Sequence, residues 1–221
     1  MMRSLKTLSL LAAISGLLLL TGCASTRPTP YAGLPSSPQL RPNPEDPSGR
    51  VPYQYASNVK WREYSSVVLE PVEIYSGADG QFEDISAQEK EALAQYMDAH
   101  FQKALAGRFT LVNAPSPQAL RVRVTLTGAK SNTRFLSTFL RFDIGGGPYN
   151  AVQAARGEEG LLTGSVSYAV EIFDASNNRL LNAYVAKQFP NAWNIGATLG
   201  RMDASKVGID KAAEDLLARL N

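Results

Sequence analysis

The chain has 221 residues, of which 44% are hydrophobic, with 22 lysines and arginines against 20 aspartates and glutamates. This length is enough for one apolar core and too short for an array of domains. The one cysteine excludes an internal disulfide, and the one histidine excludes any metal site built on two or more imidazoles.

The first 22 residues have the basic start and the apolar run of an export signal. Arg3 and Lys6 give a basic start, and residues 8–20 form an apolar run interrupted only by two serines and a glycine. A helix that crosses a bilayer needs about 20 apolar residues, and this run is shorter. We therefore predict that residues 1–22 are a signal peptide that is removed from the mature protein.

The apolar run ends in Leu20-Thr21-Gly22-Cys23. This tetrad resembles the bacterial lipobox, in which the peptide is cut between Gly22 and Cys23, the Cys23 thiol accepts diacylglycerol and the new amino group is acylated. Several acyl chains together hold a protein durably on a bilayer. Ala24, where an aspartate would retain the protein in the inner membrane, favours the outer membrane of a two-membrane bacterium. The alternative is an ordinary secretory signal with an incidental cysteine.

Removal of the leader changes the charge balance. It takes away two basic residues and no acidic ones, which leaves 20 of each sign in the mature chain. A net charge near zero, without a long basic run, argues against nucleic acid as a partner. The lipid bilayer, through acylated Cys23, is the partner that the sequence predicts.

Residues 23–52 are predicted to be the lipidated N-terminus and a proline-rich tether. Eight prolines lie between residues 28 and 52, and proline at this density prevents helix and favours extended polyproline geometry. Fully extended, such a tether would reach up to ~90 Å. Two interpretations remain open: a free spacer, or a strap in which Tyr31, Leu34 and Leu40 lie along the domain surface.

Residues 53–221 are predicted to form a single globular domain. Its first half should contain a strand over 66–75, which Pro71 places at an edge or bends, and a helix that begins at Ser86 and ends at Gly107. Ser86 and Glu89 have the spacing of a capping box. A short strand at 109–112 and a strictly alternating strand at 120–126 should follow. The aliphatic residues of the latter share one face, so Arg121 and Arg123 should point to solvent or to the other side of the sheet.

The second half should contain two strands and a helix. Strands at 165–174 and 180–188 are joined by Ser176-Asn177-Asn178, a sequence typical of a hairpin turn. A final helix over 204–220 should be capped by Asp203 or Ser205. This order favours the α+β class, as a two-layer sandwich of four to five mainly antiparallel strands with both helices on one face.

The aliphatic pattern of these elements resembles a known family. The run from Val67 to Ile74, the helix after it, the strand from Leu120 to Leu126 and the hairpin that begins at Gly164 are similar to the bacterial lipoprotein family catalogued as domain of unknown function 3313. The segment from Ala32 to Leu40 is similar to the one that precedes the domain in that family. The resemblance implies the fold and the anchor and supplies no activity.

The sequence offers no recognisable catalytic arrangement. His100 lies on the predicted first helix beside the apolar stripe, a position typical of a structural or surface histidine. Gly145-Gly146-Gly147 lacks the lysine of a phosphate-binding loop, and the acid pairs Glu83-Asp84 and Glu158-Glu159 lie in polar stretches. We predict a protein that is not an enzyme, with no catalytic residue, no metal site and no cofactor.

The long connection over 131–160 is the expected place of function, because connections of this length are uncommon unless they are functional or disordered. Its aromatic residues either cover the open end of the core or form an exposed surface for an envelope protein or the membrane, which Trp193 would extend. The candidate partner surface is Phe135, Phe139, Phe142 and Trp193. We therefore expect a binding or assembly module, or alternatively an accessory protein with a small-molecule or lipid pocket under residues 131–160.

Overall fold

A computed structural model describes residues 26–132, 152, 163–191, 194, 197 and 200–221. Over these residues the chain forms nine strands, two α-helices and 3-10 turns at Ser37–Gln39 and Trp61–Glu63. The elements are, in chain order, β1 (Arg41–Pro42), β2 (Tyr53–Ala56), β3 (Ser66–Leu69), β4 (Glu73–Ile74), β5 (Gln81–Glu83), α1 (Ala87–Ala106), β6 (Thr110–Leu111), β7 (Ala119–Lys130), β8 (Ser165–Asp174), β9 (Leu180–Gln188) and α2 (Asp203–Arg219).

The strands form one mixed sheet. Its order is β1-β2-β9-β8-β7-β3-β6, and β4 and β5 also pair with β7. The pairs from β1 through β9 and β8 to β7 are antiparallel, whereas β3, β4 and β5 run parallel to β7 and β6 runs parallel to β3. The three long strands β7, β8 and β9 therefore form the centre of the sheet.

The α+β class with two helices is confirmed, but the expected four to five mainly antiparallel strands are wrong. Two physical reasons account for the difference. The chain passes through α1 between β5 and β7, and a helical crossover returns it so that β3, β4 and β5 run parallel to β7. The additional strands are only two to four residues long, too short to show a period of two in the sequence.

The two helices begin differently. At the start of α1, the Ser86 hydroxyl accepts from the Glu89 backbone N–H and the Glu89 carboxylate accepts from the Ser86 N–H, so the predicted capping box is confirmed. The predicted cap of α2 is wrong, because its N-cap is Met202, without a side-chain hydrogen bond. The Asp203 carboxylate accepts from Gly200 N instead, and the buried Ser205 hydroxyl donates to the Ser165 carbonyl of the sheet.

Both helices pack on one face of the sheet. The apolar residues at every second position of β7 and β8 are fully buried beneath them, and together they form the main core. The principal contributors are Leu93, Met97, Phe101 and Leu105 of α1, Ile209, Ala213 and Leu216 of α2, and Leu120, Val122, Val124, Leu126, Val170 and Ile172 of the sheet. We call this side of the sheet the helix face.

The opposite side of the sheet is covered by the N-terminal segment. Tyr31, Leu34 and Leu40 are 1%, 5% and 5% exposed, and they form a second apolar cluster with Ala169, Ala183 and Val185. We call residues 31–40 the strap and this side of the sheet the strap face. Of the two interpretations of the proline-rich segment, these contacts agree with a strap that lies along the domain surface. After the strap, β1 pairs with β2, and β2 pairs with β9 of the sheet. The expected boundary between residues 52 and 53 therefore lies within the folded body.

Candidate functional site

The described chain enters the fold at one end of the sheet. The Thr26 carbonyl accepts from Lys187 Nζ at 3.0 Å, and the Thr26 hydroxyl donates to Glu83 Oε1 at 3.0 Å. Lys187 lies near the end of β9, and Glu83 at the end of β5 is in register with Lys130 at the end of β7. We call this the Thr26 end of the sheet; it also contains Ser165, the first residue of β8.

From there the strap is fixed by polar contacts at its start. The Ala32 N–H donates to Asp79 Oδ2 and the Gly33 N–H donates to Tyr75 Oη, each at 2.9 Å. The Tyr31 hydroxyl donates to Gln81 Oε1 at 3.0 Å, and burial raises the pKa of Tyr31 to about 12. The strap is thus held by side chains from the β4–β5 region as well as by its apolar residues.

A buried acid holds the middle of the strap. Glu171 is 1% exposed, and its Oε1 accepts from the Ser36 backbone N–H at 2.7 Å. Its Oε2 makes no hydrogen bond to the described residues and lies 4.0 Å from Arg123 Nη1, an ion-pair contact only. Because a buried carboxylate is costly unless it has partners, these two contacts tie the strap to the charges of the sheet.

Those charges form a network on the strap face, which confirms the predicted position of the two arginines. Arg121 Nη1 donates to Glu70 Oε1 at 2.6 Å, and Arg123 Nε donates to Glu70 Oε2 at 2.7 Å. Burial raises the pKa of Glu70, but the hydrogen bonds from Arg121 and Arg123 outweigh it and hold the pKa below its ordinary value. The Glu70 carboxylate is therefore charged and binds two arginines that are neighbours on the strap face of β7.

A junction at the Thr26 end joins two connections of the chain. The buried Asn132 side chain donates from Nδ2 to the carbonyls of Ala197 and Gly200, at 2.9 and 2.6 Å, and accepts at Oδ1 from Gly164 N at 2.8 Å. The residue at 164 must be small, because a Cβ there would lie 2.6 Å from the Lys130 carbonyl oxygen. Asn132, just after β7, thus joins Gly164, just before β8, to the segment before α2.

The start of α1 is tied to the same junction. Arg201 Nε donates to Glu89 Oε1 at 2.9 Å, and Arg201 Nη2 donates to the Asp84 carbonyl at 2.7 Å. The hydrogen bond from Arg201, followed by those from Ser86, lowers the pKa of Glu89 to about 2. Glu89 therefore both caps α1 and positions the chain that leads into α2.

Among the residues that the structure describes, two cavities bear on ligand binding. The one at the Thr26 end, lined by Lys130, Ser165 and Lys187 among others, has a volume of about 10 Å³, which is about the size of one water molecule. A larger open groove of about 410 Å³ lies between residues 43–54 and the end of α2. Its charged lining consists of Glu45, Asp46, Arg50, Asp215 and Arg219.

The single histidine lies between the helices. His100 Nδ1 is 2.7 Å from Asp210 Oδ1, and its ring stacks on Tyr96 with the centroids 3.9 Å apart. The Tyr96 hydroxyl donates to the same carboxylate at 3.1 Å. These contacts join α1 to α2, a structural position of the kind expected from the sequence. No group of three or more His, Cys, Asp and Glu side chains suited to a metal ion occurs within the described ranges.

Several predicted site residues lie outside the described residues: Gly22, Cys23, Phe135, Phe139, Phe142 and Trp193, together with Glu158 and Glu159. Within the part of the chain that is described, no helix is both long and apolar enough to span a bilayer.

Sequence reasoning missed Ser36, Asn132 and Glu171. A signal existed only for Glu171, the one charged residue inside the otherwise uncharged interior of β8.

Several solved structures are similar to this chain, among them these three. A PelC dodecamer from Paraburkholderia phytofirmans is 10% identical, with 73% of this chain and 94% of that chain covered and a TM-score of 0.38. A Xanthomonas campestris protein described with the family DUF330 is 8% identical, with coverages of 73% and 87% and a TM-score of 0.39. A hypothetical protein from Chlamydia trachomatis is 11% identical, with coverages of 71% and 95% and a TM-score of 0.33.

None of the curated proteins matches the sequence. A family match does span most of the chain, from residue 30 to residue 216. The chain belongs to the family described as Protein of unknown function (DUF3313), as its aliphatic pattern implied.

Proposed function

We propose that the chain is a bacterial envelope lipoprotein, anchored through acylated Cys23, whose folded body is a non-catalytic binding or assembly module facing the periplasm. The observation that carries this proposal is the tetrad Leu20-Thr21-Gly22-Cys23 at the end of a short apolar run with a basic start. Ala24 after the cysteine supports the periplasmic face of the outer membrane as the location.

The position of the cleavage site supports the proposal. Cleavage between Gly22 and Cys23 falls on the N-terminal side of Thr26, which already contacts the folded body. Processing would therefore remove the leader and leave the strap, the sheet and both helices intact. A cut inside the strap would instead expose the apolar cluster around Leu34.

The anchor is tested by intact mass and fractionation of the protein expressed in a bacterium. The mature chain should begin at Cys23, carry the added mass of its acyl groups and be recovered with membranes. Cys23→Ser should abolish both the acylation and the membrane recovery, whereas the neighbouring substitution Ser25→Ala should change neither. A mature chain that begins elsewhere, or lacks acyl groups, would contradict the proposal.

The module is proposed to contact its partner through Phe135, Phe139, Phe142 and Trp193. The hydrogen bonds of Asn132 support a shared surface, because they join Gly164 and Ala197, which follow the 131–160 connection and Trp193 by four residues each in the sequence. Large aromatic residues are the side chains that most often supply the binding energy of protein interfaces. An envelope protein is the proposed partner.

Crosslinking in cells followed by co-purification tests this surface. Phe135→Ser combined with Phe139→Ser should abolish recovery of the partner and leave the melting temperature nearly unchanged. The matched control is Ser137→Ala, which lies between them and should retain the partner. A large loss of stability in the double variant would assign these rings to the core and remove the proposed surface.

A second candidate is an accessory protein that binds a small molecule or a lipid. The pocket expected under residues 131–160 lies outside the described residues. The described candidate is instead the open groove of about 410 Å³ between residues 43–54 and the end of α2, whose volume lies in the range of ligand sites. Native mass spectrometry of protein purified from the envelope separates the candidates: a retained small ligand that is lost in Arg219→Ala supports this one. A crosslinked protein partner without such a ligand supports the first.

A further inference from the structure

The contacts of the strap determine how far the folded body can lie from its proposed anchor. Three peptide units separate Cys23 from Thr26, and three fully extended residues span at most about 11 Å. Thr26 is itself bound to Lys187 and to Glu83. The proposed anchor therefore lies within about 11 Å of Thr26, compared with the ~90 Å that an extended tether of residues 24–52 would reach.

The residues after Thr26 are also held in place by hydrogen bonds. The Arg27 carbonyl accepts from Gln81 Nε2 at 2.8 Å, and Ala32, Gly33 and Ser36 are each held through their backbone N–H. Releasing more chain would require the apolar residues of the strap to leave the sheet. Tyr31, Leu34 and Leu40 would then lose their burial, so the strap resists such release.

The direction of β8 shows which part of the body lies near the proposed anchor and which part lies far from it. Thr26 contacts the end of the sheet at which β7 ends and β8 begins, where Lys130 is in register with Ser165. β8 then runs to Asp174, nine residues further, which at about 3.3 Å per residue is about 30 Å away. The turn formed by Ser176, Asn177 and Asn178 therefore lies at the far end of the molecule from Thr26.

We propose that the Thr26 end of the sheet lies directly against the phospholipid headgroups of the bilayer that holds the anchor, with the Asn177 turn pointing away from the membrane. This inference rests on the proposed acylation of Cys23. The residues brought to the headgroups are Thr26, Arg27, Glu83, Asp84 and Lys130, all with exposed or half-buried polar side chains. Asn132 and Gly164 lie at the same end, so the 131–160 connection leaves and re-enters the body beside the membrane.

Short-range quenching in proteoliposomes tests the orientation. The acylated full chain has no other cysteine, so Lys130→Cys and Asn177→Cys each provide one site for a fluorophore. Lipids with a nitroxide on the headgroup should quench the label at position 130 several-fold more strongly than the label at position 177. Circular dichroism and the melting temperature verify that both labelled proteins are folded.

A second variant tests whether the short free chain is the cause. A long flexible Gly-Ser segment inserted between Ala24 and Ser25 should reduce the quenching at position 130 to the level at position 177, because the body can then leave the surface. Equal quenching at both positions in the protein of natural length would overturn the orientation while leaving the membrane anchor standing. Strong quenching at position 130 that persists after the insertion would overturn the short chain as its cause. A mass without acyl groups on Cys23 would overturn both the orientation and the proposed function.

Discussion

The two faces of the sheet are buried by different means. On the helix face, α1 and α2 cover alternating aliphatic residues of β7 and β8 and form the larger cluster. On the strap face, ten residues without a helical or strand period cover a smaller apolar cluster, and beside it lies the network of Glu70, Arg121, Arg123 and Glu171. The same strands supply both faces, since successive side chains point to opposite sides.

The difference shows how an irregular segment can become part of a fold. The helix face is stabilised mainly by apolar burial, which is non-directional. The strap face adds specific hydrogen bonds, such as the one from the Ser36 N–H to Glu171, which fix the register of a segment that has few apolar residues. Because the strap begins a few residues after Cys23, its contacts also determine where the body lies relative to the proposed anchor.

The largest effect is expected on the helix face. Phe101→Ala removes a fully buried ring between α1 and the sheet, and we expect the free energy of unfolding to fall by about 3–5 kcal/mol. Denaturant unfolding measures this loss. The matched control is Gln102→Ala on the exposed side of α1, which should change stability little. A loss of stability smaller than that caused by a substitution in the strap, such as Leu34→Ala, would contradict the ranking of the two faces.

A smaller loss is expected on the strap face. Leu34→Ala should lower the free energy of unfolding by about 2–3 kcal/mol, near the lower end for a buried leucine, because the strap covers a small cluster. The variant should also be cut faster by chymotrypsin at the Tyr31–Ala32 bond. Gln39→Ala, an exposed position of the strap, is the control. Rapid cutting of the unmodified protein at this bond would show that the strap is free.

The charge network of the strap face should contribute less again. Glu70→Gln leaves Arg121 and Arg123 without their carboxylate, and we expect a loss of about 1–2 kcal/mol at neutral pH. Because the pKa of Glu70 is lowered in the folded state, its contribution is present above its ordinary value of 4.5 and is lost as the pH falls through the folded-state pKa. Unfolding measured across acidic pH should therefore show a shallower slope in Glu70→Gln, and an unchanged slope would contradict this role.

The smallest effect is expected from Glu89 at the start of α1, because its ion pair with Arg201 lies at the surface, where solvent screens it. Its pKa of about 2 in the folded state, against an ordinary value of 4.5, means that its stabilisation is complete above pH 4.5 and disappears as the pH falls to about 2. Glu89→Gln should remove this part of the acid dependence of the melting temperature. Glu91→Gln, exposed on the same helix, should retain it. Equal acid slopes in both variants would exclude Glu89 as the source.

The parts of the fold that the sequence predicted share one property, which is a local signal. The limits of α1 followed from Ser86, Glu89 and Gly107, and the strands at 165–174 and 180–188 have the bounds that their composition indicated. The prediction of the α2 cap was wrong, although Asp203 and Ser205 both lie at the start of the helix. Contacts with Gly200 and Ser165, which the sequence does not show, decide which groups they bind.

The candidate site was only partly predictable. The tetrad around Cys23 is a contiguous pattern, and so was visible in the sequence, as were the aromatic residues of the 131–160 connection. Asn132 gave no signal, because its partners lie 32 to 68 positions away along the chain. Its role depends on two connections meeting at one end of the sheet.

The sequence by itself was sufficient to propose the export leader and the acylation site and to predict the periodic helices and the long strands, because each is encoded in neighbouring residues. Only the tertiary structure decided that β3, β4 and β5 run parallel to β7 and that the proline-rich segment lies on the sheet. The physical reason is the range of the interactions. Periodicity and capping act within a few residues, whereas the burial of Leu34 and the bond between Ser36 and Glu171 join positions that are far apart in the chain.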